Sequence, residues 1–294
     1  MSYTLDNVAL MTLNTVYATS IVLTNLLLIV ALLNSSTLLR KNNYLYTLSI
    51  SLSDLLVGAG WLYNGLHRNA DDGNISYRSP EEVFLSIHSI SMITFLGAVI
   101  DRYYAVQHPF RYVRVMTRAK VVVIIAFVWL IPLTLLSLQS QAPTNYSVAS
   151  RGYSTTAFSI LMIGSIVTLN VRIYVIVKKQ QERDGYNARS SKNNSTLLIV
   201  LAAAIFITFW APSMIYTAIC STANVCQRFP KEHLLILSNI RVMNTLSTPI
   251  IFLAGSPLTR ASLNDLANRL RRKRSQVQPG DCQVGAASAR LQNS

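Results

Sequence analysis

The chain reads as an all-α membrane protein: a seven-transmembrane helix bundle with a short amphipathic helix after the seventh span. Three observations carry that expectation. Of its 294 residues, 51% are hydrophobic and only 13% charged, against about 25% charged in soluble domains; mean hydropathy is +0.36. The apolar residues gather into seven runs, 8–33, 44–66, 83–105, 121–139, 153–177, 197–221 and 234–254. Each is long enough as a helix to cross about 30 Å of hydrocarbon. Lys and Arg, finally, fall on one side: connections 34–43, 106–120, 178–196 and 255–294 hold 18, and the opposite set, 1–10, 67–82, 140–151 and 222–232, holds 5. The positive-inside rule then places the amino terminus outside and the carboxyl terminus in the cytoplasm, as seven crossings require.

Each element has its own signature. The first run is too long for a signal h-region and lacks a basic n-region. The second, third and seventh runs carry Asp54, His88 and Arg241, ionisable groups that lipid tolerates only where they face a partner or a cavity. After the seventh, residues 255–274 place Leu258, Leu263, Leu266 and Leu270 near helical spacing with Arg269, Arg271 and Arg272 between them. That pattern suits a helix lying on membrane lipids. The expected division is 1–254 for the bundle, 255–274 for the surface helix and 275–294 for a disordered cytoplasmic tail, whose Cys282 is a weak palmitoylation candidate.

Several classes are set aside by the same residues. The formal charge of +14 suggests no nucleic acid partner, because the basic residues sit in short blocks between apolar runs. Three cysteines exclude a disulfide scaffold or a four-cysteine zinc site. Cys220 and Cys226 have a spacing open to a local disulfide in an oxidising compartment, or stand as two free thiols. No His-Glu-x-x-His and no Gly-rich phosphate loop point to an enzyme. No internal repeat of the kind many transporters carry is visible, so a transporter or channel with a polar core around Asp54 and Arg241 is the alternative reading. The sequons at Asn74 and Asn145 fall on the outer side and are candidate glycosylation sites.

The third run stops on Asp101-Arg102-Tyr103, and a proline-broken basic loop follows at once. An acid and a guanidinium side by side at a membrane boundary are costly unless paired or aimed at a partner; snorkelling of Arg102 is the plainer account. With seven spans and an outside amino terminus, the triplet resembles that of the rhodopsin-like (class A) G-protein-coupled receptors. Further landmarks resemble theirs in order: Asn25, Asp54 within Leu48-Ser-Ile-Ser-Leu-Ser-Asp54, Trp129, Phe206-x-x-x-Trp210-x-Pro212, and Asn244-Thr-Leu-Ser-Thr248-Pro249-Ile-Ile-Phe252. The resemblance implies a plasma-membrane receptor with a heterotrimeric G protein as partner. It implies a coupling switch at Asp101, Arg102, Tyr103, Phe206, Trp210, Pro212, Thr248, Pro249 and Phe252, and a polar cluster of Asp54, Ser91 and Asn244 able to take Na+. No other cofactor is expected. Pro212 removes a backbone hydrogen bond and bends its helix, giving the pivot a two-state element needs.

Departures narrow the resemblance. No cysteine stands near the outer end of the third span, Met162 replaces a fifth-span proline, the second outer loop is brief, and Cys220-x5-Cys226 lies in the third. These traits together look like the melanocortin receptors, and less closely like the cannabinoid, lysophospholipid and adenosine receptors. Of the melanocortin acids for peptide and calcium, Glu81 matches one, while Asn64 and Tyr77 replace the other two. Phe84 stands where an amine-binding acid belongs. The ligand pocket is therefore expected around Asn64, Glu81, Phe84, His88 and Arg241, for an extracellular peptide or lipid-like ligand. Lys192 replaces an acid that in many relatives restrains the triplet arginine, which implies raised basal signalling.

Overall fold

The computed structural model describes residues 5–67, 80–141, 144–184, 192–223 and 231–276. Seven long helices match the seven apolar runs: α1 (Leu5–Leu33), α3 (Asn42–His67), α4 (Pro80–Gln107), α6 (Arg118–Gln141), α7 (Thr144–Asp184), α8 (Lys192–Ala223) and α9 (Lys231–Gly255). Short helices α2 (Ser36–Leu39) and α5 (Pro109–Val115) fill two of the basic connections, and α10 (Pro257–Gln276) follows the seventh span. At about 1.5 Å per residue even the shortest long helix exceeds the hydrocarbon thickness.

Proline chemistry sets the break after the third span. His108, the residue before Pro109, leaves the helical region with φ −133° and ψ 64°, as steric conflict with the following ring requires. Pro109 then starts α5, where its missing N–H costs nothing. Helix α5 is bent by 74° from α6 and packs against α4.

The helices close into a ring. α1 packs against α3 and α9, α3 against α4, α4 against α6 and α7, α7 against α8, and α8 against α9. The third span, α4, is thus the central post. Small residues allow the close approaches that lipid-embedded helices rely on. A Cβ placed on Gly58 of α3 would come within 2.6 Å of the Ile21 side chain of α1. Outward faces are apolar: Leu23, Phe127, Ile131, Leu161, Val171 and Ile215 are all exposed, a belt that water would punish and lipid accepts.

Hydropathy is uneven around this ring. By length and mean hydropathy Thr12–Leu33, Asn42–Tyr63 and Thr156–Gln180 stand out, and the bent pair Pro109–Val115 and Arg118–Thr134 makes a fourth. Among the described residues the apolar stretches of α8 and α9 are Val200–Tyr216 and Ile240–Gly255. The inward faces of α4 and α9 carry His88, Ser91, Asp101, Asn244 and Thr245, all buried. Polar groups that face the bundle lower a helix's hydropathy without exposing charge to lipid.

One connection differs from the sequence expectation. The second outer connection, expected over 140–151, is largely the first turns of α7, so Asn145 sits in a helix rather than a loop. Asn74, Cys226 and Cys282 lie outside the described residues, as do the side chains of Asn145 and Cys220. At the other end α10 is anchored: the Ser262 hydroxyl donates to the Ala31 carbonyl at 2.6 Å and Asn34 Nδ2 to the Ser262 carbonyl at 3.3 Å.

Candidate functional site

Three layers of contacts run through the bundle core. The middle layer is polar. Ser91 Oγ on α4 donates to Asp54 Oδ1 on α3 at 2.5 Å, and the Ser53 hydroxyl lies 2.6 Å from that of Ser91. Asp54 Oδ2 is buried and meets no protein donor. A carboxylate with two hydroxyls is an all-oxygen set of the kind hard cations take. Asn25 ties α1 to its neighbour α9: its Nδ2 donates at 3.0 Å to both the Ile21 and Thr245 carbonyls. Asn244 is buried nearby on α9, where its carbonyl and Oδ1 accept from the Ser247 hydroxyl at 2.6 and 3.2 Å. Trp129 Nε1 donates to Ser49 Oγ at 2.9 Å, joining α6 to α3.

Next comes an aromatic column between α4 and α8. Phe95 stacks on Phe206 with centroids 4.9 Å apart and planes at 14°. Phe206 stacks on Trp210 at 5.4 Å and 21°. The imidazole of His88 meets Trp210 edge-on at 4.7 Å and 72°. From α9 the guanidinium carbon of Arg241 approaches the same indole at 5.8 Å, and its Nη1 donates to Ser213 Oγ at 3.4 Å. Offset and edge contacts of this kind add roughly 0.5–1.5 kcal/mol per pair beyond area burial. Pro212 lies two residues beyond Trp210 inside α8.

The third layer is at the inner end. Both carboxylate oxygens of Asp101 accept from the Tyr112 hydroxyl at 3.0 Å. Tyr112 is held in turn by Asn42 Nδ2, which donates to its oxygen at 3.1 Å and to the Met116 carbonyl at 3.2 Å. Burial, and then the Asp101 carboxylate, push the Tyr112 phenol above its ordinary range, so the hydroxyl keeps its proton and remains a donor at neutral pH. Beside it Arg102 is half-buried, its Nε without a protein acceptor. Tyr103 packs against the core cluster that includes Phe206. On α9 Thr248 and Phe252 are buried, and the Phe252 ring meets Tyr44 at 6.5 Å and 65°.

The structure thus gathers Asp54 with Ser91, and Phe206 and Trp210 with His88 and Arg241. Asn64, Glu81, Phe84 and Lys192 lie on α3, α4 and α8, with side chains outside the described set. Sequence reading missed Phe95, Ser53, Asn42 and Tyr112. The signal for Tyr112 was its helical register after Pro109, which returns a phenol toward Asp101 from a separate helix. An open groove of about 560 Å³ between α4 and α7, lined by Leu96, Ile100, Ile160, Leu161, Gly164 and Thr168, lies away from these layers.

A ring of long apolar helices with a buried polar middle, an aromatic column beside Pro212 and an acid held by Tyr112 is the architecture of a seven-helix membrane protein. The family model "7 transmembrane receptor (rhodopsin family)" matches residues 24–252, and the chain belongs to that family. Among similar proteins, melanocortin receptor 5 of Homo sapiens is 22% identical over 83% of this chain and 79% of its own length. The muscarinic acetylcholine receptor gar-2 of Caenorhabditis elegans is 32% identical over 40% of this chain. G protein-coupled receptor 161 of Bos taurus is 30% identical over 36%. The chain covers only 19% and 21% of those last two receptors.

Proposed function

We propose that this chain is a cell-surface G-protein-coupled receptor, amino terminus outside. It binds an extracellular peptide or lipid-like ligand in the outer halves of α4, α8 and α9 and activates a heterotrimeric G protein by swinging the inner end of α8. The observation that carries this reading is the continuous run of ring contacts Phe95–Phe206–Trp210–His88, two residues from Pro212 inside α8. A ligand pressing on His88 or Trp210 moves a column shared by α4 and α8. Packed cores respond to such a push by switching between discrete arrangements rather than deforming smoothly. In the active arrangement Arg102 leaves Asp101 and meets the G protein. Asp54, with Ser91 and Ser53, would hold a sodium ion that favours the resting arrangement.

Similarity to melanocortin receptor 5 over most of both chains supports a peptide ligand, while Phe84 and Arg241 speak against an amine despite the similarity to a muscarinic acetylcholine receptor. The test is second-messenger recording in cells expressing the full chain, against peptide and lipid libraries. A ligand-dependent response that disappears in Arg102→Ala supports the reading. Solute or ion flux through the purified chain in liposomes, with no second-messenger response, would replace it with the transporter alternative.

A further inference from the structure

Away from the three layers, the connection after α1 and the first half of α10 enclose a polar cavity of about 300 Å³. Ser35, Ser36 and Thr37 line one side, and Asp265 and Arg269 of α10 the other. The two walls are fixed to each other. Asn34 Nδ2 donates to the Ser262 carbonyl at 3.3 Å, and the Ser262 hydroxyl to the Ala31 carbonyl at 2.6 Å. Asp265 and Arg269 stand one turn apart on α10, an order and spacing in which an acid and a guanidinium ordinarily pair. Here both are exposed, and among the described residues neither is engaged by another side chain. Both line the cavity instead. The hydroxyls of Ser35 and Thr37 lie 2.8 Å apart, so one donates to the other and the second keeps a hydrogen to give. The cavity thus presents a guanidinium with hydroxyl donors for an anion, and a carboxylate for a cation, with side-chain roots about 5–6 Å apart. Its place is the edge of the hydrocarbon: Asn34 directly follows the apolar run of α1, whose Val30 and Leu33 are exposed.

We infer that this cavity binds the headgroup of an ethanolamine phospholipid, a phosphate and a primary ammonium joined by a short carbon link. Arg269 and the hydroxyls of Ser36 and Thr37 receive the phosphate, and Asp265 receives the ammonium. The acyl chains run along Val30 and Leu33 into the bilayer. One headgroup carries both charges at the spacing the helix turn sets, so it satisfies a pair that does not satisfy itself. Other headgroups leave part of the site unmet. A choline head has no N–H to give, and its methyl groups hold the cation away from Asp265. A glycerol head brings no cation, and a serine head adds a carboxylate beside Asp265, where like charges repel. The bound lipid seats α10 against the end of α1 whichever extracellular ligand the chain binds.

Native mass spectrometry of the purified full chain in neutral detergent tests this, with dioleoyl lipids offered singly at equal concentration. The ethanolamine lipid is expected to occupy the chain about fivefold more than the choline, glycerol or serine lipid, the scale of one exposed ion pair. Stepwise N-methylation of the ethanolamine lipid should lower occupancy at each step. Asp265→Asn should bring the ethanolamine lipid down to the level of the glycerol lipid. Arg269→Gln should lower the occupancy of both, and Arg269→Lys should recover part of that loss. Both positions are exposed, so helical content by circular dichroism should stay that of the unmodified chain. Free O-phosphoethanolamine at millimolar concentration should leave the lipid bound, which separates a lipid site from one for a soluble phosphate ester. Equal occupancy by the choline and ethanolamine lipids overturns the inference. So does an ethanolamine preference that survives Asp265→Asn, or an ethanolamine-lipid occupancy unchanged in Arg269→Gln, since either would place the lipid elsewhere on the chain. Full displacement by O-phosphoethanolamine overturns the assignment to a lipid.

Discussion

The inner and outer ends of the third span solve the problem of buried polarity in opposite ways. At the inner end Asp101 has both oxygens met by Tyr112, and Asn42 holds Tyr112 in place. The acid is satisfied within the chain, while Arg102 Nε beside it meets no protein acceptor. Around Trp210 the buried nitrogens of the indole and of His88 find no protein partner, although a guanidinium and a hydroxyl stand close by. The two ends of α4 therefore differ in how well their buried polar groups are met: the acid latched at one end has a donor for both oxygens, and the nitrogens at the other have none. The aromatic column joins them.

Breaking the output of the latch carries the largest expected effect. Arg102→Ala should reduce stimulated second-messenger output to background while surface expression stays near that of the unmodified chain. Arg102 is half-buried, and its Nε meets no protein acceptor. Unchanged output would mean the triplet only snorkels its charge at the membrane surface.

Removing the link between the two ends comes next. Phe206→Ala takes the middle ring out of the Phe95–Phe206–Trp210 stack and leaves a cavity in the bundle core. Aromatic-to-alanine changes in a core cost about 3–5 kcal/mol. A fall in Tm of several degrees is expected, together with loss of ligand response in whatever protein survives. Phe206→Leu, which refills most of the space without the stacked face, should recover stability more than signalling. Equal recovery of both would reduce the column to packing.

Much of this was legible in the chain because lipid is an exacting solvent. Every spanning segment must satisfy its own backbone, so seven apolar runs became seven helices, and the basic connections marked one face. Asp54, Trp210 and Pro212 stood out because a carboxylate, an indole and a proline inside apolar runs each need a structural reason. What sequence did not show was partnership across helices. Tyr112 and Asn42 are ordinary polar residues in basic connections, and only the 74° bend after α5 brings one under Asp101 and against the other. Phe95 reads as one more apolar residue until the ring of Phe206 lies 4.9 Å away. The helical start of α7 through Asn145 was hidden for the opposite reason. Its polar residues read as a loop, whereas they extend a helix past the apolar run.

The latch itself can be loosened without touching the triplet. Tyr112→Phe keeps the ring and deletes the hydroxyl that both Asp101 oxygens accept from. A hydrogen bond to a charged group contributes about 1.5–3 kcal/mol, part of which water recovers at this half-buried site. If the bond belongs mainly to the resting arrangement, basal second-messenger output should rise about five- to tenfold, since about 1.4 kcal/mol is a factor of ten. Affinity for ligand at the outer end should move by no more than the same factor, because coupling is reciprocal. The phenol's raised pKa gives the pH dependence its sign. The neutral, donating form is favoured in the fold, so the bond's contribution is full at neutral pH and is lost only as pH rises through the raised range. A basal output that is flat in Tyr112→Phe, or lower, would show that the hydrogen bond does not favour the resting state.

The smallest expected effect isolates how the latch is aimed. Asn42 touches neither Asp101 nor Arg102; it donates to the Tyr112 oxygen at 3.1 Å and to the Met116 carbonyl at 3.2 Å. By occupying a lone pair of that oxygen, Asn42 leaves the phenolic hydrogen pointing toward the carboxylate. Asn42→Ala therefore removes an orienting contact and not the bond itself. Basal output should rise by about two- to threefold, the equivalent of a net neutral hydrogen bond at its lower end. The double variant with Tyr112→Phe decides the route. Residues in one network are non-additive, and if Asn42 acts only through the Tyr112 hydroxyl, the double variant should match Tyr112→Phe alone. An additive increase would mean that Asn42 holds the resting state by another path, through the Met116 carbonyl and the seating of α5. The inner end would then be a packed lid rather than a hydrogen-bonded latch.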